Sequence, residues 1–348
     1  MSNQGKFFEN YQKELSLALQ QKCDWTLFRD KTFLISGATG LIGTVLVDML
    51  RFLHKSLTLN IKLILISRNI TESDYGDDFI KIIPHDINFP ITEKLGKLRI
   101  DYIIHAASNT HPELYASKPI ETITTNVMGT YNLLQCAAEN PGCRFLLTSS
   151  VEVYGNDEKK LAEGFSEKDF GYLDSNILRA GYPESKRLSE SLCQAFKSEK
   201  NVYVIIARLA RCYGLTLRSD DTKVLSQFLQ NAKSRNDIVL KSEGKQCYSY
   251  LYSLDAASAI LFLLLKGENG EAYNVSGVDS KIRLYELASL LADMTGTKVI
   301  RSSPNELEKK GFSKAENAVL NTKKINQLGW KSKTGLKEGL MKILDVKK

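Results

Sequence analysis

The sequence of 348 residues predicts an α/β fold: a doubly wound parallel sheet followed by a smaller C-terminal α/β domain. Three observations support this prediction. From residue 31 onward short apolar strands alternate with amphipathic helices, a glycine-rich turn follows the first strand, and the alternation loosens after about residue 214. Apolar strands that alternate with helices are typical of a parallel sheet that is covered on both faces.

The first part of the chain follows this pattern element by element. Residues 1–30 are polar with helical spacing and predict a helical lead-in, and residues 31–210 form the first domain. Apolar runs rich in β-branched residues predict strands, and apolar residues at a period near 3.6 predict helices. The strands are expected at or within 31–36, 62–67, 80–87, 99–107 and 144–150, and the helices at 44–53 and 126–140.

Residues 211–348 belong mainly to the second domain. Helical patterns recur there at 225–234, 284–294 and 323–330, separated by short strands. We expect part of this region, near residues 246–276, to return to the first domain as strands.

Composition and charge exclude several classes of function. The net charge is +7 and spread along the chain, without a basic stripe interleaved with aromatics, so we expect no nucleic-acid partner. No apolar run approaches the roughly 20 residues of a membrane span, and the N-terminus lacks a signal-peptide core, so we expect no membrane association. The six cysteines form no CxxC and no metal-ligand spacing with the four histidines. This predicts no metal site and a reducing, cytoplasmic location.

The glycine-rich turn "GATGLIG" lies between the first strand and the first helix of the sheet. Glycines in this context permit a tight turn and close backbone approach to a pyrophosphate, and the helix N-terminus attracts the anion. We therefore predict a dinucleotide site. Its residues are Gly37, Thr39, Gly40, Leu41, Ile42 and Gly43.

The choice between NAD and NADP is open, with a slight preference for NADP. Sites that prefer NAD usually end the second strand with an acid for the ribose 2′-hydroxyl. Here that strand ends in Ser67 and Arg68, and Arg68 is suited to a 2′-phosphate. Asp86 and Ile87 follow the third strand as further cofactor-binding candidates. The Asp86 carboxylate either accepts from an adenine amino group or closes a turn at the strand end.

Tyr182 and Lys186 form a Y-x-x-x-K pair that opens an amphipathic helix. Side chains one helical turn apart share a face, where an ammonium lowers the phenol pKa and lets tyrosine act as acid or base. Ser149 and Ser150 end a strand at the sheet edge where doubly wound folds hold their active sites. The combination with the glycine turn predicts an active site.

These motifs together make the chain resemble the extended short-chain dehydrogenase/reductases, specifically the nucleotide-sugar epimerase/dehydratase family with its Rossmann fold. The resemblance spans about residues 31–280. It implies an NAD(P)-dependent enzyme that acts on a nucleotide-diphosphate sugar through a 4-keto intermediate, with substrate bound by the C-terminal domain, and a homodimer paired through two helices of each subunit. The motifs are GATGLIG, DYIIHAAS, NVMGTYNLL, SSVEVYG, YPESK, RLARCYG and EAYNVSG.

The resemblance also implies roles for single residues. Ser150 would bond the 4-oxygen of the sugar, Tyr182 would remove the C4 hydroxyl proton, and Lys186 would bond the nicotinamide ribose. The remaining residues line the cofactor near its ribose (Ala106, Ala107 and Ser108, the last also a substrate-binding candidate) or support that loop (Asn126). His111 follows the fourth strand, where it either faces the sugar as a substrate-binding residue or is a loop histidine without a role.

Two departures from the family pattern bear on the reaction. The 4,6-dehydratases carry Asp then Glu after the Ser or Thr, but this chain has Val151 then Glu152. The chain thus lacks the acid for the leaving 6-hydroxyl but keeps the base that acts at C5. Alternatively, Glu152 only caps a loop or pairs with a lysine. In addition, Tyr248 stands where the family commonly has an arginine. In the family that arginine binds the diphosphate or, in decarboxylases, lies near the reacting carboxylate. Arg211 replaces a usual Asn and either supplies the missing charge to the phosphates or lies at an interface.

Several functions remain open on this sequence. Epimerisation ranks first, narrowly above dehydration, because Val151 removes the leaving-group acid. Decarboxylation of a nucleotide uronic acid retains Glu152 but lacks the expected arginine at Tyr248. A reductase that consumes NADPH and a cofactor-binding sensor without chemistry rank below these three reactions.

Overall fold

The computed structural model describes residues 3–71, 74–96, 98–110, 112–157, 163–218, 220–313 and 315–345. Its centre is a sheet of seven strands, in which every neighbouring pair is parallel. The strands of this sheet are β1 Thr32–Ser36, β2 Lys62–Ser67, β3 Ile80–Pro84, β4 Tyr102–His105, β5 Arg144–Ser150, β6 Tyr203–Leu209 and β11 Ala272–Val275. Their order across the sheet is β11-β6-β5-β4-β1-β2-β3.

Short strands complete the β-structure outside the main sheet. Their bounds are β7 Arg211–Tyr213, β8 Ile238–Leu240, β9 Cys247–Tyr248, β10 Tyr250–Tyr252, β12 Ile282–Arg283, β13 Val299–Arg301 and β14 Asn317–Ala318. They pair as β7 with β10, β8 with β13, and β9 between β12 and β14.

Helices cover both faces of the main sheet. The helices are α1 Asn3–Ala18, α2 Leu41–Ser56, α3 Thr92–Leu95, α4 Pro112–Ser117, α5 Pro119–Ala138, α6 Gly181–Lys200, α7 Val224–Lys233, α8 Ser253–Lys266, α9 Leu284–Thr295, α10 Glu306–Gly311, α11 Lys323–Leu328 and α12 Leu336–Asp345. The helices α1, α2 and α8 pack together on one side of the sheet, and α5 packs against α6 on the other.

Alternate residues of a central strand point into two separate apolar clusters. In β1, Phe33 and Ile35 join the cluster under α2 and α8, whereas Leu34 joins the cluster under α5 and α6. Successive side chains of a strand point to opposite faces, so a sheet buried on both faces needs apolar residues throughout. The predicted fold class, a doubly wound parallel sheet, is confirmed.

The predicted elements differ from the observed ones mainly at helix ends. Strands β2 and β5 coincide with the expected 62–67 and 144–150. Helix α5 instead begins at Pro119, seven residues before the expected start at 126. Proline at the first turn of a helix lacks only a donor that would have no partner there, so it starts α5 without breaking it.

The C-terminal half contributes to the main sheet as well as to the smaller ones. Strand β11 pairs with β6 at the edge, and helix α8 carries the apolar run 259–265 between α1, α2 and the strands. The chain therefore adds β11 to the main sheet before it forms β12, β13 and β14. Among the described residues no helix combines the length and the apolar character needed to cross a bilayer.

Candidate active site

The residues after four neighbouring strands meet at one edge of the sheet. Gly37 follows β1, Ala106 follows β4, Ser150 ends β5 and Arg211 lies just beyond β6. The carboxyl edge of a parallel sheet holds the ligands of doubly wound folds. A cleft of about 330 Å³ opens there, lined by the start of α2 on one side and by β7–β10 on the other.

The glycine turn has the conformation that a dinucleotide site needs. Gly37 has a φ of +74°, and a Cβ at this position would lie 2.6 Å from the backbone nitrogen of Ala107. A Cβ on Gly43 would lie 2.1 Å from the carbonyl oxygen of Gly37. Only glycine fits at either position, and α2 begins at Leu41 with its N-terminus towards the cleft. The turn thus fits a pyrophosphate group.

The other predicted cofactor-binding residues differ in their hydrogen-bond partners. Thr39 Oγ1 and Ser67 Oγ lie 2.9 Å apart, which joins the turn to the end of β2. The Arg68 guanidinium donates to the Glu121 carboxylate at 2.6 Å, so this arginine already has an acidic partner. Asp86 accepts from the backbone and side chain of Asn88. Both bonds use Asp86 Oδ1 and close a turn after β3, and the contact of this carboxylate with adenine stays a prediction.

A chain of hydrogen bonds connects the predicted cofactor loop to the predicted catalytic helix. Ser108 Oγ donates to Asn126 Oδ1 at 2.8 Å, and Asn126 Nδ2 donates to Ser185 Oγ at the same distance. Ser185 Oγ in turn donates to the Tyr182 carbonyl oxygen. Asn126 is fully buried, so it holds both elements together from within α5. Of the nearby candidates, Ala106 and Ser108 line the cleft, Ala107 contacts Gly37, Ile87 packs under Gly129, and His111 lies outside the described residues.

Ser150, Tyr182 and Lys186 converge on the cleft, as the sequence predicts. Ser150 Oγ accepts from the Glu152 backbone N–H and is hydrogen-bonded to Tyr182. Lys186 is buried and its Nζ donates to the Thr148 carbonyl oxygen at 2.9 Å. The helix α6 therefore carries two ionisable groups to the strand end that holds Ser150.

The pKa values of Tyr182 and Lys186 differ from the expectation. Burial raises the pKa of Tyr182 to about 12, and the Glu152 charge adds to the rise, whereas the Ser150 hydrogen bond and Arg179 oppose it. Burial lowers the pKa of Lys186 to about 8, against the charge of Glu190. The prediction that the ammonium lowers the phenol pKa is therefore not met in the protein alone. The reason is that Lys186 is directed to a backbone carbonyl and desolvation outweighs its charge.

Glu152 is held by arginines and not by a lysine. The Nη2 atom of Arg179 donates to both oxygens of the Glu152 carboxylate, at 2.7 and 2.6 Å, and Arg211 Nη1 lies 4.0 Å away. Burial alone would raise the pKa of this carboxyl, but the two guanidinium charges outweigh it and hold the pKa below the ordinary value. Glu152 is thus an ionised, tightly paired carboxylate beside Tyr182.

Arg211 and Tyr248 form one unit on the β7–β10 side of the cleft. The Arg211 guanidinium carbon lies 3.7 Å above the centre of the Tyr248 ring, a cation–π contact. Strand β9 thus provides an aromatic face at the position where an arginine was expected, and β7 delivers the guanidinium onto it. The positive charge that Tyr248 lacks is restored by Arg211, and it lies next to Glu152.

Two residues of the site were missed by sequence reasoning. Arg179 lies in a short 3₁₀ helix, Leu178–Ala180, directly before α6, and its position three residues before Tyr182 is the only signal that could have marked it. The Tyr115 ring stacks on the Tyr182 ring with centroids 4.8 Å apart. No sequence pattern marks Tyr115, because α4 reaches Tyr182 only through the tertiary fold.

A family model described as the NAD dependent epimerase/dehydratase family matches residues 33–276. The chain belongs to this family. The resemblance read from the motifs is therefore confirmed, and the protein is an NAD-dependent enzyme of the epimerase/dehydratase family.

Curated relatives and solved structures agree with this membership. UDP-glucuronic acid decarboxylase 4 of Arabidopsis thaliana is 30% identical over 307 residues, which cover 88% of this chain and 66% of that protein. UDP-glucuronic acid decarboxylase 5 of the same plant is 29% identical over 319 residues, with 88% and 86% covered. The fold is shared with UDP-glucose 4-epimerase of Thermotoga maritima at a TM-score of 0.78 and 20% identity, covering 90% of this chain and 97% of that chain. It is shared with the dTDP-glucose 4,6-dehydratase DesIV of Streptomyces venezuelae at 0.77 and 23%, covering 90% and 95%.

Proposed function

We propose that this enzyme oxidises a nucleotide-diphosphate sugar at C4 and completes its reaction on the resulting 4-keto sugar. The observation that carries the proposal is the convergence of Ser150, Tyr182 and Lys186 on the cleft that begins at the glycine turn. Bound NAD supplies the acceptor and donor for the C4 hydride. Ser150 holds the C4 oxygen, and the Tyr182 hydroxyl exchanges the proton of the C4 hydroxyl. Lys186 lies beneath this pair and bonds the cofactor ribose.

The charges around C5 support a particular class of sugar. Two guanidinium groups, from Arg179 and Arg211, face one carboxylate, from Glu152, at the end of the cleft beside Tyr182. Around Glu152, in the part of the chain that the structure describes, one of these two guanidinium charges therefore has no carboxylate of its own in a largely buried place. We propose that it pairs with a carboxylate on the sugar, which makes the substrate a nucleotide uronic acid.

The state of Glu152 favours decarboxylation of that substrate. A carboxylate stabilised in its charged form is a weak base, so Glu152 is poorly suited to remove the C5 proton. A 4-keto uronic acid needs no such step. Its C5–C6 bond breaks and carbon dioxide leaves. The bonding electron pair forms an enolate with the C4 ketone, and this enolate then takes up a proton at C5. The names of the curated relatives support the same reaction.

Epimerisation at C4 is the second candidate, and it ranked first on the sequence. It also avoids removal of the C5 proton, so the paired Glu152 is compatible with it. A solved structure of UDP-glucuronic acid 4-epimerase from Bacillus cereus, at 19% identity and a TM-score of 0.76, has the same fold. Decarboxylation now ranks above it, because Arg211 supplies the charge whose absence at Tyr248 counted against decarboxylation on the sequence.

Product analysis separates these reactions. We expect the purified enzyme with NAD to convert UDP-glucuronic acid, read by NMR and mass spectrometry, with loss of carbon dioxide. An unchanged mass with altered ring couplings would instead identify the epimerase. Conversion of UDP-glucose or dTDP-glucose with no reaction of the uronic acid would overturn the proposed substrate class. Tyr182→Phe is the inactive control, with turnover lowered about 10²–10⁴-fold.

Arg211 gives a second test of the substrate class. We expect Arg211→Ala to raise KM for the uronic acid sharply, because a sugar carboxylate then lacks its guanidinium partner. Arg211→Lys, which keeps the charge, should retain part of the affinity. A KM that is unchanged in Arg211→Ala would contradict the role of this residue.

We propose NAD, rather than NADP, as the preferred dinucleotide. Arg68, the residue that favoured NADP on the sequence, is paired with Glu121, and this bond lowers the pKa of the Glu121 carboxyl. A 2′-phosphate at Arg68 would have to displace or approach that negative charge. We expect Glu121→Gln to tighten NADP binding relative to NAD, measured as dissociation constants by calorimetry. An unchanged ratio of the two constants would exclude Glu121 as the determinant.

We also propose a homodimer that pairs through α5 and α6. Large apolar side chains are exposed along these two helices, which pack side by side through Tyr131 and Phe196. A cluster of exposed apolar groups on one face marks an interaction surface, and a second copy with the same face completes a two-fold interface. The exposed residues are Ile120, Ile123, Met128, Tyr131 and Leu188.

We further propose a cytoplasmic location and a substrate-binding role for residues 211–348. All six cysteines are free, as expected of a protein in a reducing compartment. The C-terminal residues Lys223, Lys241 and Tyr248 line the same cleft as the glycine turn, opposite α2.

A further inference from the structure

Arg179 is the most completely engaged arginine of the site, although no motif marks it. Its Nη2 atom binds both oxygens of Glu152, and its Nε donates to the Gly311 carbonyl oxygen at 3.1 Å. The guanidinium carbon lies 4.5 Å from the centre of the Tyr115 ring. Arg179 is also buried, so these partners define its environment.

These contacts connect Arg179 to the catalytic tyrosine by two routes. The Tyr115 ring touches Arg179 and stacks on Tyr182. The Glu152 carboxylate is bound to Arg179, and its charge acts on Tyr182. The backbone reinforces both routes, because Arg179 lies only three residues before Tyr182 at the entry to α6.

We propose that Arg179 is a positioning residue of the reaction: it fixes the Glu152 carboxylate and the Tyr115 ring against Tyr182. The inference rests on the proposed function for its effect on turnover, but its effect on Glu152 belongs to the protein alone. Without Arg179, the half-buried Glu152 carboxylate would lose the guanidinium nitrogen that binds both of its oxygens.

Four groups around Glu152 decide its ionisation. Arg179 comes from the 3₁₀ helix and Arg211 from β7, and both favour the carboxylate. The hydroxyls of Tyr182 on α6 and Tyr115 on α4 face the same carboxylate, whose charge raises the pKa of each phenol. Loss of Arg179 therefore leaves the Glu152 carboxylate with Arg211, at 4.0 Å, as its remaining cation among the described residues.

The direct test is the titration of Glu152 in the protein without substrate. Carbon-13 NMR of protein labelled at the glutamate carboxyl reports each midpoint, and the Glu152 resonance is identified by its loss in Glu152→Gln. We expect Arg179→Gln to raise the Glu152 midpoint by about 1–3 pH units, the usual effect of an adjacent opposite charge. Arg179→Lys, which keeps the charge but loses the Nε bond to the Gly311 carbonyl oxygen, should give a smaller rise.

Arg187 provides the matched control. Like Arg179, it lies near the start of α6 and donates to backbone carbonyl oxygens, those of Val153 and Gly171, but it does not bind Glu152. We expect Arg187→Gln to leave the Glu152 midpoint unchanged. Equal midpoints in wild type and in both Arg179 variants would overturn the inference, whatever the activity.

Turnover supplies the second, independent readout. With an accepted substrate, Arg179→Gln should lower kcat by about 10²-fold. It should also move the acid limb of the pH profile of kcat to higher pH. This move should be absent when Arg179→Gln is combined with Glu152→Gln. A profile that keeps its wild-type acid limb in Arg179→Gln would count against the inference. If the Glu152 midpoint moves as expected but no nucleotide sugar reacts, the proposed function fails and the role of Arg179 stands.

Discussion

At the scale of single residues, the segment Ser149–Ser150–Val151–Glu152 divides its polar groups between two tasks. Ser149 Oγ donates to Glu190 at 2.5 Å, inside a buried network in which Glu190 also binds Arg208. Ser150 instead faces the cleft and Tyr182. Adjacent residues of a strand point to opposite faces, so one serine stabilises the packing under α6 while the next is available to a ligand.

His105 is another polar residue whose environment determines its ionisation. It ends β4, is fully buried, and its Nδ1 lies 2.8 Å from Ser36 Oγ. Burial, and then the charge of Lys186, lower the pKa of His105 to about 3. The native state therefore excludes a proton that the unfolded chain binds below about pH 6.5, so stability is lost as the pH falls from there towards 3.

We predict that His105 accounts for part of the acid sensitivity of the fold. Between pH 6 and 5, His105→Gln should reduce the slope of the unfolding free energy against pH by up to about 1.4 kcal/mol per pH unit. Urea unfolding at several pH values measures this slope. Parallel curves for wild type and His105→Gln would contradict the assignment.

At the scale of elements, the start of α2 determines the shape of the cofactor end of the cleft. Gly37 and Gly43 bring the turn, the helix and the loop after β4 closer together than any side chain permits. The helix N-terminus then presents its backbone donors to the cleft. Because this geometry is local, a single methyl group is sufficient to disturb it.

We predict that Gly43→Ala weakens NAD binding by at least about tenfold, a cost of roughly 1.4 kcal/mol. The added Cβ would lie 2.1 Å from the Gly37 carbonyl oxygen, so α2 or the turn must move. Calorimetric titration with NAD gives the dissociation constant, and thermal unfolding reports the accompanying loss of stability. Gly76→Ala is the control, because no atom of the described residues lies within 4 Å of its added Cβ. Wild-type affinity in Gly43→Ala would refute the close approach.

At the scale of the whole molecule, buried polar contacts tie the segment before α12 to helix α8. The Asp255 carboxylate, near the start of α8, accepts from Ser332 Oγ and from the backbone N–H groups of Lys333 and Thr334. Trp330 is fully buried and donates to Ser258 on the same helix. The segment before α12 is therefore held against α8, which itself packs on β5 and β6 of the main sheet.

We predict that the α5–α6 face holds two copies together. Met128→Glu should convert the dimer to a monomer, because a charge then lies in the centre of the buried apolar interface. Light scattering coupled to size-exclusion chromatography measures the mass. Met341→Glu is a matched control, since Met341 on α12 is exposed to nearly the same fraction, 43% against 42%. A wild-type mass in Met128→Glu, or a monomeric wild type, would contradict the proposed interface.

The sequence predicted most of the sheet and part of the site. The strands, the glycine turn and the Tyr182–Lys186 pair are local signals, readable from spacing alone. The partners of Arg68 and Glu152 were not readable. Glu121 and Arg179 reach them across the fold, and Arg179 lies 27 residues from Glu152 along the chain.

The sequence by itself determined the fold class and the family, because hydrophobic period and glycine geometry act within one strand or one helical turn. Only the tertiary structure decided the charge state beside Tyr182: an ionised Glu152 held by Arg179, and Arg211 lying on Tyr248. The physical reason is that the ionisation of a buried group depends on every charge that surrounds it. Those charges come from elements that only the folded chain brings together.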